Sequence, residues 1–175
     1  MKKYLQIIKG TWAEYMTYRL SFVLWRFRVV IQLLVVYFLW SAIFSKHTTL
    51  FGYTQGTMLT YILLSSIVRP FVMGTRTQEV GALINNGELS NYLLRPISFI
   101  RFYASRDIAD KMLNVFFAIF EVTVIFFLLR PEIFIQTNFV MLIATGIALL
   151  IGIVLFFYFS MLLSYLGFWT PDVWA

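Results

Sequence analysis

Asp107 and Asp110, flanked by Arg106 and Lys111, are the densest group of ionisable side chains beside a long apolar run. Carboxylates are the donors a hard cation takes, so a metal-binding acidic pair of a lipid-processing enzyme is one reading. No third ligand is evident, and the competing reading is a solvated or mutually paired helix start. Glu121 is more conspicuous, because it interrupts the apolar run from Met112 to Leu129 near mid-depth. A carboxylate inside a membrane segment is a functional hypothesis by default. It lines a substrate path, carries a proton, or hydrogen-bonds to Asn114, Gln32 or Thr123, with Arg69 a further partner if that side chain snorkels toward the core. There is no cysteine, so a thiolate metal site and a disulfide framework are excluded, and His47, the only histidine, has few carboxylates nearby and reads as a solvated loop residue. No Gly-x-x-x-x-Gly-Lys-Ser/Thr stretch is present, so any ATP must be hydrolysed by another chain. The expectation is a non-catalytic chain with no cofactor and no metal.

The elements that hold these residues are read from hydropathy. The 175 residues are 61% hydrophobic, 19% aromatic and 13% charged, with mean hydropathy +0.82. A soluble domain has roughly 45–50% apolar and 25% charged residues, so this is an integral membrane protein. The net charge of +6 and pI near 9.7 do not indicate nucleic acid. The basic residues stand at the edges of apolar runs, where positive-inside topology puts them. Lys9, Glu14 and Arg19 interrupt the segment after Met1-Lys2-Lys3, which excludes a cleavable signal peptide.

The fold class is all-α and polytopic: an interfacial helix over residues 1–26 and spans over 27–45, 57–74, 108–129 and 138–168. In the first segment Tyr4, Ile7, Ile8, Trp12 and Tyr15 recur at helical spacing, so that face sinks into the headgroup boundary while lysine and arginine meet anionic lipid. Arg26 and Arg28 anchor the inner end of the first span. Residues 46–56 form a short outer hairpin loop, and Arg69-Pro70 kinks the second span as it leaves the membrane. Arg130-Pro131-Glu132 ends the third span in an outer turn, and Ala144, Ala148 and Gly152 give the fourth the spacing that lets helix backbones approach. Only Lys46 and Arg130 fall outside, so both termini and the loop over 75–107 are cytoplasmic.

That loop has its own pattern. Val80, Leu83 and Ile84 form the apolar face of a short amphipathic helix from Thr75 to Ile84. Gly87 closes it in a left-handed conformation and Pro96 stops the helix begun at Leu89. The stretch Gly87-Glu88-Leu89-Ser90-Asn91-Tyr92-Leu93-Leu94-Arg95-Pro96-Ile97 resembles the first cytoplasmic loop of six-span ABC-2 type transporter permeases, whose pattern is Gly-acid-Leu-Ser-x-Tyr-Leu-Leu-Arg-Pro-Ile. The likeness extends more loosely to the basic N-terminus and to Gly52-Tyr53-Thr54.

The resemblance implies the permease subunit of an ATP-driven exporter in a bacterial-type plasma membrane. Two permease copies, identical or sister subunits, would form the pathway. Val80, Leu83, Ile84, Gly87, Glu88, Leu89, Leu93, Arg95 and Pro96 would press a coupling helix into a separate ABC ATPase subunit. It further implies two spans beyond the fourth, so the chain reads as a fragment or truncated form. The rival readings are a non-transporting membrane scaffold and a membrane-embedded lipid-modifying enzyme resting on Asp107, Asp110 and Glu121. The substrate, the direction of transport and the choice of homo- or heterodimer are not legible.

Overall fold

The computed structural model describes residues 2–94 and 96–170, with Leu93 described by its backbone alone. Helix α1 (Lys2–Thr17) is joined to α2 (Arg19–Phe44) through the single residue Tyr18. Backbone hydrogen bonds from Tyr18 to Glu14 and from Phe22 to Tyr18, both 3.1 Å, carry across the break. The first long apolar helix therefore starts at Arg19 and not at Phe27. The face of α1 expected in the headgroups is half-buried against protein, where Trp12 Nε1 donates to the Ala109 carbonyl at 2.9 Å and Thr11 is enclosed.

Two short strands, β1 (Thr49–Leu50) and β2 (Tyr53–Thr54), pair antiparallel. Phe51 and Gly52 between them have φ of 52° and 81°, the two left-handed positions a tight primed turn requires. Thr54 then caps α3 (Gln55–Met73), its backbone N–H donating to Thr57 Oγ1 at 2.9 Å in a reciprocal capping box. Pro70 lies inside α3, which continues to Met73, so the proline does not end the helix. At the opposite end of the bundle, the loop end, come α4 (Glu79–Asn85) and α5 (Leu89–Leu93).

Helix α6 (Phe99–Leu129) has 31 residues. Arg101, Arg106 and Asp107, expected in the loop before a span at Ile108, are helical from Phe99 onward, with Arg106 paired to Glu14 and Glu79 and Asp107 to Lys111. Arg130 closes α6 in a left-handed cap with φ of 44°. Helix α7 (Phe139–Tyr165) starts at Asn138, whose side chain accepts from the Val140 and Met141 backbone, and ends in a 3₁₀ turn, Leu166–Phe168. Four helices are long and apolar enough to cross a membrane: α2, α3, α6, and α7 with its terminal turn.

Two apolar cores hold the bundle. Near the hairpin end, Leu33 and Tyr37 of α2 meet Leu59, Ile62 and Leu63 of α3 and Ile125 of α6. At the loop end Val80 of α4, with no exposed surface, packs with Tyr103 of α6 and Phe157 and Met161 of α7, and Leu83 and Ile84 lie against the same group. The apolar side of α4, expected as a docking face, is thus turned toward the chain's own spans. Ser164 of α7 reinforces the contact by donating to the Thr77 carbonyl at 2.8 Å. Of the small residues on α7, Ala144 and Ala148 are exposed, while a Cβ at Gly152 would stand 3.3 Å from Val72 of α3.

Candidate functional site

The charges read from the sequence assemble into one network at the loop end. Arg76, in the turn before α4, reaches Glu14 of α1 at 3.1 Å, Glu79 of α4 at 3.4 Å and Asp110 of α6 at 3.2 Å. Its guanidinium also lies 4.7 Å from the centre of the Tyr15 ring, whose hydroxyl donates to Asp110 Oδ1. Arg106 repeats the pattern, 2.9 Å from Glu14 and 3.4 Å from Glu79. Lys111 pairs with Asp107 at 2.7 Å and donates to the Gly74 carbonyl at the end of α3. The two aspartates are buried and take different cations, Asp107 the Lys111 of its own helix and Asp110 the Arg76 before α4. Among the described residues no group of three or more His, Cys, Asp or Glu is placed to hold a metal. The network can tie α1, α3, α4 and α6 together so that displacement of one is felt by the others.

One rung deeper, Glu121 of α6 accepts from Arg26 Nε of α2 at 2.7 Å, the two side chains 11% and 8% exposed. Arg26 Nη1 donates to Asn114 Oδ1 at 3.3 Å, and its guanidinium stands 5.3 Å from the Phe117 ring. Arg26 is thus the partner of Glu121, and Arg69 is not. The expected inner anchor of a span is buried within the bundle, since α2 begins earlier and carries Arg26 inward with it. Arg69 is exposed and has no ion pair among the described residues. Between α2, α3 and α6 lies a cavity of about 1030 Å³, bordered by Arg26, Arg28, Arg69 and Glu121.

Comparison with known families gives a match over residues 30–175 to the family described as ABC-2 family transporter protein. The chain belongs to the ABC-2 transporter family. No curated protein and no solved structure matches it. As an ABC-2 family protein with four membrane-length helices, it is a multi-pass membrane permease of ABC-type transport.

In this ABC-2 protein the residues expected to couple form two groups. Val80, Leu83 and Ile84 face inward, as described. Gly87 has φ of 73° and sits just past α4, where its N–H bonds to the Ile84 carbonyl at 3.1 Å and the Glu88 N–H to the Leu83 carbonyl at 2.9 Å. These are the two bonds of a Schellman closure. Glu88 and Pro96 are exposed and Leu89 half-buried, while Arg95 and the Leu93 side chain lie outside the described residues. A Cβ at Gly87 meets nothing within 4 Å, so substitution there strains the backbone alone. Gly87→Val is expected to lower stability by about 1–2 kcal/mol and Gly87→Asn by less. Thermal unfolding in detergent checks this, and equal losses for the two variants would contradict it. The Arg26 pairing escaped sequence reading because its partner is 95 residues away.

Proposed function

We propose that the chain is the permease subunit of an ABC-2 exporter in a cell membrane, with α1 and residues 75–98 on the cytoplasmic side. A separate ATPase docks on the loop end, and two permease copies, identical or sister subunits, enclose the pathway. The observation that carries the reading is the two-sided build of the loop. Its inward side is fixed to α6 and α7 through Val80, whereas its tip projects, with Asn86, Gly87, Glu88, Ser90 and Asn91 exposed and Leu94 85% exposed. A leucine left uncovered at the tip, beside polar groups, has the make-up of a small docking surface. Force applied at the tip enters α6 and α7 through the Val80 cluster and α3 through the charge network. The basic excess of these segments supports their cytoplasmic placement. All three carboxylates of the lipid-modifying reading are held in ion pairs, Asp107 with Lys111, Asp110 with Arg76 and Glu121 with Arg26, which favours the permease reading.

Because the chain has no cysteine, Ser90→Cys and Thr48→Cys test sidedness and docking together. With an impermeant thiol reagent, Thr48→Cys is expected to label in intact cells and Ser90→Cys only after the cells are opened. Coexpressing the cognate ATPase should then protect Ser90→Cys, and Leu94→Asp should abolish both protection and transport. Labelling of Ser90→Cys in intact cells reverses the topology. Transport at the parental rate by Leu94→Asp reduces the loop to a connector.

A further inference from the structure

We propose that the cavity between α2, α3 and α6 binds an anionic amphiphile, an acyl-chain lipid with a phosphate headgroup, drawn from the leaflet at the loop end. The cavity's charges do not cancel. Glu121 is engaged by Arg26, and Glu14 and Asp110 by Arg76. Arg28 and Arg69 border the same space, both exposed, and neither has a hydrogen bond or ion pair among the described residues. Arg28 stands about 24 Å from the hairpin end of α2 and Arg69 about 21 Å from that of α3, so the two cations face one space at nearly one depth. A third donor is available there. Arg26 Nη2 is buried and has no hydrogen-bond partner, on a side chain only 8% exposed.

Unpaired guanidinium groups at membrane depth are costly unless something anionic satisfies them. Phosphate oxygens suit the planar donor fork of arginine. The rest of the lining settles whether the anion carries a tail. Beyond the arginines toward the hairpin end the walls pass Gln32 on α2 and Ser65 and Ser66 on α3 and then turn apolar, with Leu33 and Val36 on α2 and Ile62 on α3. Head and tail are thus ordered along the membrane normal as in a lipid whose headgroup lies at the loop end. The volume of about 1030 Å³ is at the upper limit of the roughly 300–1,000 Å³ typical of small-ligand sites. Only the assignment to the cytoplasmic leaflet rests on the proposed sidedness; the binding itself does not.

Photolabelling of the purified protein, without any ATPase, provides the test. A phosphatidic acid bearing a diazirine in its acyl chain is expected to form adducts on residues 29–36 and 62–66. Dodecyl phosphate should compete these away at least about fivefold, and dodecylphosphocholine and inorganic phosphate should not. Arg28→Gln with Arg69→Gln should lower labelling about fivefold while the gel-filtration profile stays unchanged. Adducts spread evenly over all lipid-facing helices would overturn the proposal, as would undiminished labelling of the double variant. Competition by inorganic phosphate alone would also overturn it, in favour of a free-anion site. Since no transport is measured, a failed ATPase-docking experiment leaves this result standing, and the converse holds.

Discussion

Glu121→Ala should destabilise the protein by about 3–5 kcal/mol, because it leaves the Arg26 guanidinium buried beside Phe117 with no counter-charge. Taking two ions out of water costs several kcal/mol each, and their attraction restores this only while both are present. Removing both charges is therefore milder than removing one. Arg26→Met combined with Glu121→Leu is expected to recover most of the stability lost by Glu121→Ala alone. Thermal unfolding in detergent, followed by fluorescence-detected gel filtration, measures both. A double variant as unstable as the single one would show that packing, and not charge, sets the cost. A stable double variant that no longer transports would show that the pair serves the transport cycle more than the fold.

The second large effect is expected at Arg76. Arg76→Ala removes contacts to Glu14, Glu79 and Asp110 together with the stacking on Tyr15. Asp110, whose side chain is 9% exposed, then keeps hydrogen bonds only to Asn114 and Tyr15, with the Lys111 charge as its remaining nearby cation. A loss of up to about 3 kcal/mol follows from removing the ion-pair partner of such a carboxylate. The loss should be local to α1, which is held by few other polar contacts. Thr11 is 3% exposed against α6, so Thr11→Cys reports the release directly. In the Arg76→Ala background its thiol labelling should accelerate by tenfold or more, since each ~1.4 kcal/mol of opening free energy is a factor of ten. Arg76→Lys should not restore protection, because an ammonium cannot present a planar fork to several carboxylates. Unchanged labelling in Arg76→Ala would mean that Trp12, Tyr15, the Arg106–Glu14 pair and the apolar face hold α1 without Arg76.

What the sequence revealed and what it hid divide along the range of the interactions. The apolar runs, the left-handed Gly87 and the break at Pro96 are local properties, set by side-chain polarity and by backbone sterics at one residue. Arg26 was misplaced because a charge at the edge of an apolar run looks like a rim anchor until the helix is seen to begin at Arg19. Its partner on α6 has no sequence signature. Val80, Leu83 and Ile84 were read correctly as one apolar face, but periodicity says only that a face will be covered, not by what. Here α6 and α7 cover it, and the exposed tip falls to Asn86, Gly87, Glu88, Ser90, Asn91 and Leu94. Arg101 and Arg106 read as loop charges for the same reason. The compensation of Arg106 by Glu14 and Glu79, and of Lys111 by the Gly74 carbonyl, depends on tertiary placement.

The length of α6 gives the molecule unequal arms. Its 31 residues extend about 46 Å, half as long again as the ~30 Å of hydrocarbon it has to cross. The bond to Arg26 grips it at Glu121, about 33 Å from its Phe99 end and about 12 Å from its Leu129 end. If the helix pivots as a rigid rod about that grip, Phe99 sweeps nearly three times the distance that Leu129 does. A 3 Å push at the loop end therefore arrives at the hairpin end as roughly 1 Å of travel with proportionally greater force. Such a lever trades stroke for thrust, which suits a far side where close-packed helices need to part by only a small distance.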